Sequence, residues 1–274
     1  MTGTTSRGHG AGGDSTPGDG SPGDKVDLFG VGVSVTDYDD ATGRIMEAAR
    51  NRRSYAVSAL AVHGLMEAAD DAAFRAEVNR IDLVTPDGQP VRWAMNALHR
   101  TGLEDRVYGP DLTWRVVEAA ASEGVGIYLY GSTQETCDAF ATEITRRHPG
   151  ASIVGIQADR FRDATPEEDA ADIDRINRSG AGVVLVGRGC PRQEKWVSQH
   201  RGQIGAAMLA VGAAFDYGAG NLSSPPGWMQ RSGLQWLYRL GQEPGRLWRR
   251  YLFTNSRFLL RFARALPARL RHRS

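Results

Sequence analysis

Residues 181–196 read AGVVLVGRGCPRQEKW, and the class of the fold is written there. Ala181–Val186 is an apolar run that reads as a strand. Gly187 and Gly189 end it, and Pro191 fits the first turn of a helix continuing to about Arg201. The same strand–turn–helix rhythm extends to either side. Ile204–Val211 is a further strand. Before it, Val125–Tyr130 is a strand leading into a helix capped by Ser132 and running to about Arg147. Ala151–Ile156 is a strand and Pro166–Arg178 a helix. Strands alternating with helices of about a dozen residues imply an α/β fold, a Rossmann-like and mostly parallel sheet flanked by helices.

The N-terminal half continues this pattern. Val26–Val35 reads as a strand, Asp39–Asn51 as a helix and Tyr55–Val62 as a buried strand. Gly64–Asn79 reads as a helix with Leu65, Met66, Ala69 and Ala73 turned inward. Leu83–Thr85 runs into the turn Pro86-Asp87-Gly88, Val91–Leu98 is helical, and Asp111 reads as the N-cap of a helix to Ala121. Residues 1–25 are rich in Gly, Ser, Thr, Asp and Pro, which predicts a disordered leader. Residues 26–222 then form the α/β domain and 223–274 a basic helical appendage.

Of 274 residues, 41% are hydrophobic and only two are Cys, which argues against a disulfide scaffold and a cysteine zinc site. No apolar run is long enough to span a bilayer, and no signal pattern opens the chain, so a cytoplasmic location is expected. The net charge of +1 conceals an asymmetry. Residues 224–274 hold eleven Arg and one acid, Glu243, while the rest of the chain carries −9. Arg257, Arg261 and Arg264 share one helical face, and Leu259, Phe262 and Leu266 another. A basic amphipathic helix of this kind suits an anionic membrane surface, or equally a helix packed on the body with its Arg face solvated.

In a parallel sheet, ligands gather beyond the C-terminal strand ends. Asp87, on a strand-end turn, is a candidate general base, although Asp-Gly turns are common without any such role. The Gly187–Glu194 turn suits phosphate, because glycines let the backbone and its free N–H groups approach closely. Arg192 stands where a dinucleotide fingerprint needs its third glycine, which disfavours a nicotinamide oxidoreductase. Gly131-Ser132 is a weaker turn of the same kind. The small residues around Gly212, Phe215 and Asp216 permit close approach of a ligand, or of another backbone. Arg106 could grip a phosphate, and His63 follows a strand with no metal-binding partner pattern.

Taken together, the motifs resemble the WecG/TagA/CpsF glycosyltransferases (glycosyltransferase family 26). They are PDGQPVRW (86–93), RVYGPDL (106–112), YLYGS (128–132), GRGCPRQE (187–194), VGAAFDYGAG (211–220), GLQWLYRL (233–240) and EPGRLWRRY (243–251). The resemblance implies an inverting hexosyltransferase that moves a sugar of N-acetylmannosamine type from a UDP-sugar to a polyprenyl-diphosphate-linked saccharide. The product would be a cell-surface polysaccharide such as exopolysaccharide, capsule or teichoic acid.

On this resemblance Asp87 is the base. Gly88, Gln89, His63, Arg106, Gly109, Asp111, Gly131, Ser132, Gly187, Gly189, Pro191, Arg192, Gln193, Glu194, Gly212, Phe215 and Asp216 serve the nucleotide and substrate. Arg239, Arg246, Arg249 and Arg250 meet the acceptor diphosphate. No metal or other cofactor is implied. The implied location is the inner face of the plasma membrane, with self-association possible and no nucleic acid bound, although a non-enzymatic nucleic-acid-binding protein with an Arg-rich tail is the other alternative. The chain departs from the family's pattern in three places. Ala59 and Ala61 replace a Thr-x-Asn turn, with His63 beside them; Ser224-Pro225-Pro226 replaces Arg-Ala-Pro; and Gln235 replaces a Glu.

Overall fold

The structure, a computed structural model, describes residues 24–271, with side chains at 246, 250 and 267–271 left aside. Of the expected leader, residues 1–23 therefore lie outside the described residues. Lys25 already belongs to a strand.

The expected strand at 26–35 is instead a hairpin, β1 (Lys25–Leu28) and β2 (Val31–Ser34). Phe29 and Gly30 between them both have positive φ, at 61° and 90°, as a two-residue turn between right-twisted strands requires. α1 (Tyr38–Arg50) follows, then β3 (Tyr55–Leu60). The single helix expected at 64–79 is two, α2 (Val62–Asp70) and α3 (Ala72–Arg80). Asp71 separates them because its carboxylate accepts the N–H groups of Ala73 and Phe74, capping α3. β4 (Leu83–Pro86) and α4 (Gln89–His99) come next.

α5 (Gly109–Glu123) starts earlier than expected. Tyr108 occupies the N-cap position, so Asp111 lies inside the first turn and does not cap. After β5 (Gly126–Gly131), the cap of α6 (Gln134–Arg147) is Thr133. Ser132 precedes it in a left-handed conformation. β6 (Ser152–Gln157), α7 (Pro166–Ser179), β7 (Ala181–Gly187), α8 (Arg192–Gln199) and β8 (Ala207–Ala210) complete the alternation.

Six strands form one parallel sheet in the order β4-β3-β8-β7-β5-β6. One face packs on α1, α5 and α6 through residues such as Ile45, Val116 and Phe140, and the other on α2, α3, α4 and α8 through Leu65, Phe74, Met95 and Trp196. The strand ends are in register. Leu60 pairs with Pro86 and Gly131 with Gly187, so the loops after β3, β4, β5 and β7 share one edge.

Beyond α9 (Ala214–Gly218), three further helices follow: α10 (Gly227–Arg231), α11 (Gln235–Gln242) and α12 (Pro244–Arg271). α12 lies on the body. Phe258 is buried among core residues, with its ring edge-on to Phe29 at 5.8 Å. Arg257 and Arg261 both pair with Asp70 of α2. The basic face read from the sequence is thus partly an internal contact. Phe262 and Leu266 pack against the core, while Trp248, Leu252, Phe253, Leu259 and Leu260 stay exposed.

Candidate active site

β4 delivers Asp87 to the strand-end edge, where the turn is held from two sides. The Asp87 N–H donates to the Leu60 carbonyl, and the Val107 N–H donates to the Pro86 carbonyl at 3.0 Å. The second bond lays residues 105–109 alongside β4 and brings α5 to Asp87. The Gly109 N–H, in the first turn of α5, donates to Asp87 Oδ1 at 3.1 Å. A carboxylate at a helix N-terminus is stabilised by the free N–H groups there. Burial works the other way. It raises the Asp87 pKa to about 6, against the lowering influence of Arg106, the Gly109 N–H and Arg239.

Arg106 is buried, with its guanidinium 4.4 Å from the Tyr108 ring centroid. It donates to Gln235 Oε1 and, at 3.3 Å, to Gln230 Oε1. Both acceptors are neutral amides, so these contacts hold the cation without neutralising it. They also tie α10 and α11 to the loop that positions Asp87. Gly233 makes the approach possible. With φ +73° it turns the chain over Trp93, and a Cβ there would lie 2.7 Å from the indole.

Between these parts lies a cavity of about 390 Å³. Asp87, His63, Gly88, Gln89, Arg106 and Arg239 of the expected site residues line it, joined by Trp93, Trp236, Tyr251 and Phe258. Gln89 donates to Asp105 at 2.9 Å, while its Oε1 is buried without a partner. Arg239 Nε is likewise buried without one, although its guanidinium lies 3.7 Å from Glu243. His63 Nδ1 is 3.9 Å from Glu67. Unsatisfied polar atoms in a cavity wall are what a polar ligand would satisfy.

Asp111 lies in the same first turn of α5, two residues beyond Gly109. It accepts a long 3.4 Å bond from the Tyr38 hydroxyl, which itself accepts the Tyr108 N–H. Burial raises the pKa of Asp111.

The remaining expected residues do not line the cavity. Most occupy the same strand-end edge further along, or brace it. Gly131 and Gly187 sit side by side on β5 and β7, and a Cβ on Gly131 would meet the Gly187 backbone at 2.6 Å. The Ser132 N–H donates to the Gly187 carbonyl. Gln193 is used internally. Its Oε1 accepts the Gly189 N–H at 3.1 Å and its amide donates to Glu194, which is buried with a pKa raised by burial. Pro191 stands at the N-cap of α8. Arg192 and Arg188 both bind the buried Asp159, at 2.8 and 3.2 Å. Nothing in the sequence near Asp159 marks it as the partner of these two arginines.

Phe215 is buried over Gly187, and Gly212 abuts Gln193, so tight packing accounts for both small residues. Asp216 is half-buried on α9, away from the cavity wall. Arg249 is exposed above the Trp248 ring and does not reach the cavity. The Arg246 and Arg250 side chains lie outside the described residues. Among the described residues no three His, Cys, Asp or Glu side chains form a group that could hold a metal ion.

Comparison with known proteins places the chain among glycosyl transferases. The model of the glycosyl transferase WecG/TagA/CpsF family matches residues 26–272. A curated relative, the N-acetylglucosaminyldiphosphoundecaprenol N-acetyl-beta-D-mannosaminyltransferase of Bacillus subtilis (strain 168), is 29% identical over 172 residues. The alignment covers 62% of this chain and 64% of the relative, a little under two thirds of that protein's length.

Proposed function

The chain belongs to the WecG/TagA/CpsF family of glycosyl transferases, and we propose that it is an inverting hexosyltransferase moving an N-acetylmannosamine-type sugar from a UDP-sugar to a polyprenyl-diphosphate-linked saccharide. The observation that carries this reading is Asp87, a carboxyl with a pKa of about 6 in a cavity wall shared with Arg106 and Arg239. A base poised near neutral pH suits removal of a proton from a sugar hydroxyl.

In the proposed step, the acceptor hydroxyl oxygen attacks the anomeric carbon while Asp87 accepts its proton. The bond to the UDP β-phosphate oxygen breaks on the opposite face, which inverts the centre. Arg106 and backbone N–H groups at the strand ends offset the charge that builds on the leaving phosphate. The donor extends along the edge from β4 toward Gly187 and Ser132. β4 and β7 are three strand positions apart, roughly 14 Å.

The membrane supplies the acceptor. Among the described residues no helix is long and apolar enough to cross a bilayer. The exposed side chains of Trp248, Leu252, Phe253 and Leu260 beside Arg249 and Arg264 suit a peripheral contact, on the cytoplasmic face in this reading. Residues 223–274 act as the membrane-facing part, and the pathway is cell-surface polysaccharide synthesis.

The test is release of UDP from a panel of UDP-sugars, with polyprenyl-diphosphate-linked N-acetylglucosamine presented in anionic vesicles. UDP-N-acetylmannosamine or a close hexosamine relative is expected to give UDP and a lengthened lipid saccharide. Absence of release across the panel contradicts the proposal.

A further inference from the structure

The cavity beside Asp87 has walls of two kinds. Asp87, Gln89, Arg106 and Arg239 present polar and charged groups. α4 and the middle of α12 present Pro90, Trp93, Phe258, Leu259 and Phe262, with Thr254 and Asn255 of α12 beside them. Phosphates bind through hydrogen bonds and charge, and the side chains of Pro90, Phe258, Leu259 and Phe262 offer neither.

That apolar wall is also continuous with the protein surface. Trp93 is 43% exposed and Leu259 61% exposed, although both line the cavity. Leu259 shares a helical face with Trp248 and Leu252, which are exposed and lie outside the cavity. An apolar path thus leads from the outer face of α12 to the Arg239 guanidinium. A ligand matching both ends carries a diphosphate on a hydrocarbon chain.

Resting on the transferase reading above, we propose that the α4–α12 wall binds the first isoprene units of the acceptor, with its diphosphate against Arg239. The enzyme then recognises part of the lipid chain in the protein and leaves the remainder to the bilayer. The chain determines how the acceptor is seated, and free sugar diphosphates lacking it are poor acceptors.

The full-length protein titrated with farnesyl diphosphate and, separately, with inorganic diphosphate tests this by calorimetry without any turnover. Farnesyl diphosphate is expected to bind about tenfold more tightly or better. Trp93→Ala and Leu259→Ala are each expected to erase most of that preference, and Leu252→Ala to leave it in place. Equal affinity for the two probes overturns the proposal, as does a preference that survives both wall substitutions or falls equally with Leu252→Ala. Failure of the transferase reading is separate and shows as absence of UDP release with every donor, whatever this ratio is.

Discussion

Asp87 is a carboxyl under opposed influences. Burial favours its neutral form, while Arg106, the Gly109 N–H and Arg239 favour the anion, and burial prevails. As the proposed general base it works only when deprotonated, so kcat/KM should fall with one-proton dependence below pH of about 6. Arg106→Gln removes the largest influence favouring the anion and should move that limb to higher pH. A limb that stays in place or moves down would separate Arg106 from the base. The same shift has a consequence for stability. The folded pKa exceeds the usual carboxylate value of 3.8, so the folded state binds more protons between about pH 4 and 6, and this group's effect becomes unfavourable as pH rises through that window. Asp87→Asn keeps an acceptor for the Gly109 N–H and removes the buried charge. It should raise Tm at pH 8, by about 1–3 kcal/mol of stability, and leave it near wild type at pH 4. Asp87 was legible in the sequence because a Pro-Asp-Gly turn ends an apolar run. The Arg106 contacts were not, since Gln230 and Gln235 lie 124 and 129 residues away and local pattern carries no signal across that distance.

The alternation of strands and helices follows directly from apolar runs and glycine turns, so the sheet and most helices lay where the sequence placed them. The misses have local causes. The β1–β2 hairpin turns at Phe29, a residue rarely found at positive φ, and Asp71 ends α2 by capping the helix behind it. Periodicity also shows that α12 has an apolar face but not what that face meets. Two kinds of contact hold α12 to the body, and their magnitudes decide which dominates. The Asp70 pairs with Arg257 and Arg261 are partly solvent-exposed and worth about 0.2–1 kcal/mol each. Truncating the buried Phe258 costs about 3–5 kcal/mol. Limited proteolysis should therefore cut within residues 244–266 far faster in Phe258→Ala than in Asp70→Ala. Equal susceptibility would make the ion pairs the principal tether.

A weakly acidic body and a strongly basic C-terminal segment meet at the cavity, and the proposed chemistry is divided between them. In the proposed reaction the body supplies the base Asp87, and α11 supplies Arg239; both line the cavity. The outer face of α12 exposes apolar surface, which in the proposed function contacts the membrane. Trp248→Ser combined with Leu252→Ser should lower co-sedimentation with anionic vesicles several-fold while leaving the circular dichroism spectrum unchanged. Undiminished sedimentation would assign membrane contact to another surface. The whole account turns on Asp87 as the proton acceptor, and turnover of Asp87→Asn by UDP release with a lipid-diphosphate acceptor measures that directly. A drop of about 10²–10⁴-fold with a folded, substrate-binding protein is predicted; transfer at close to the wild-type rate would contradict it.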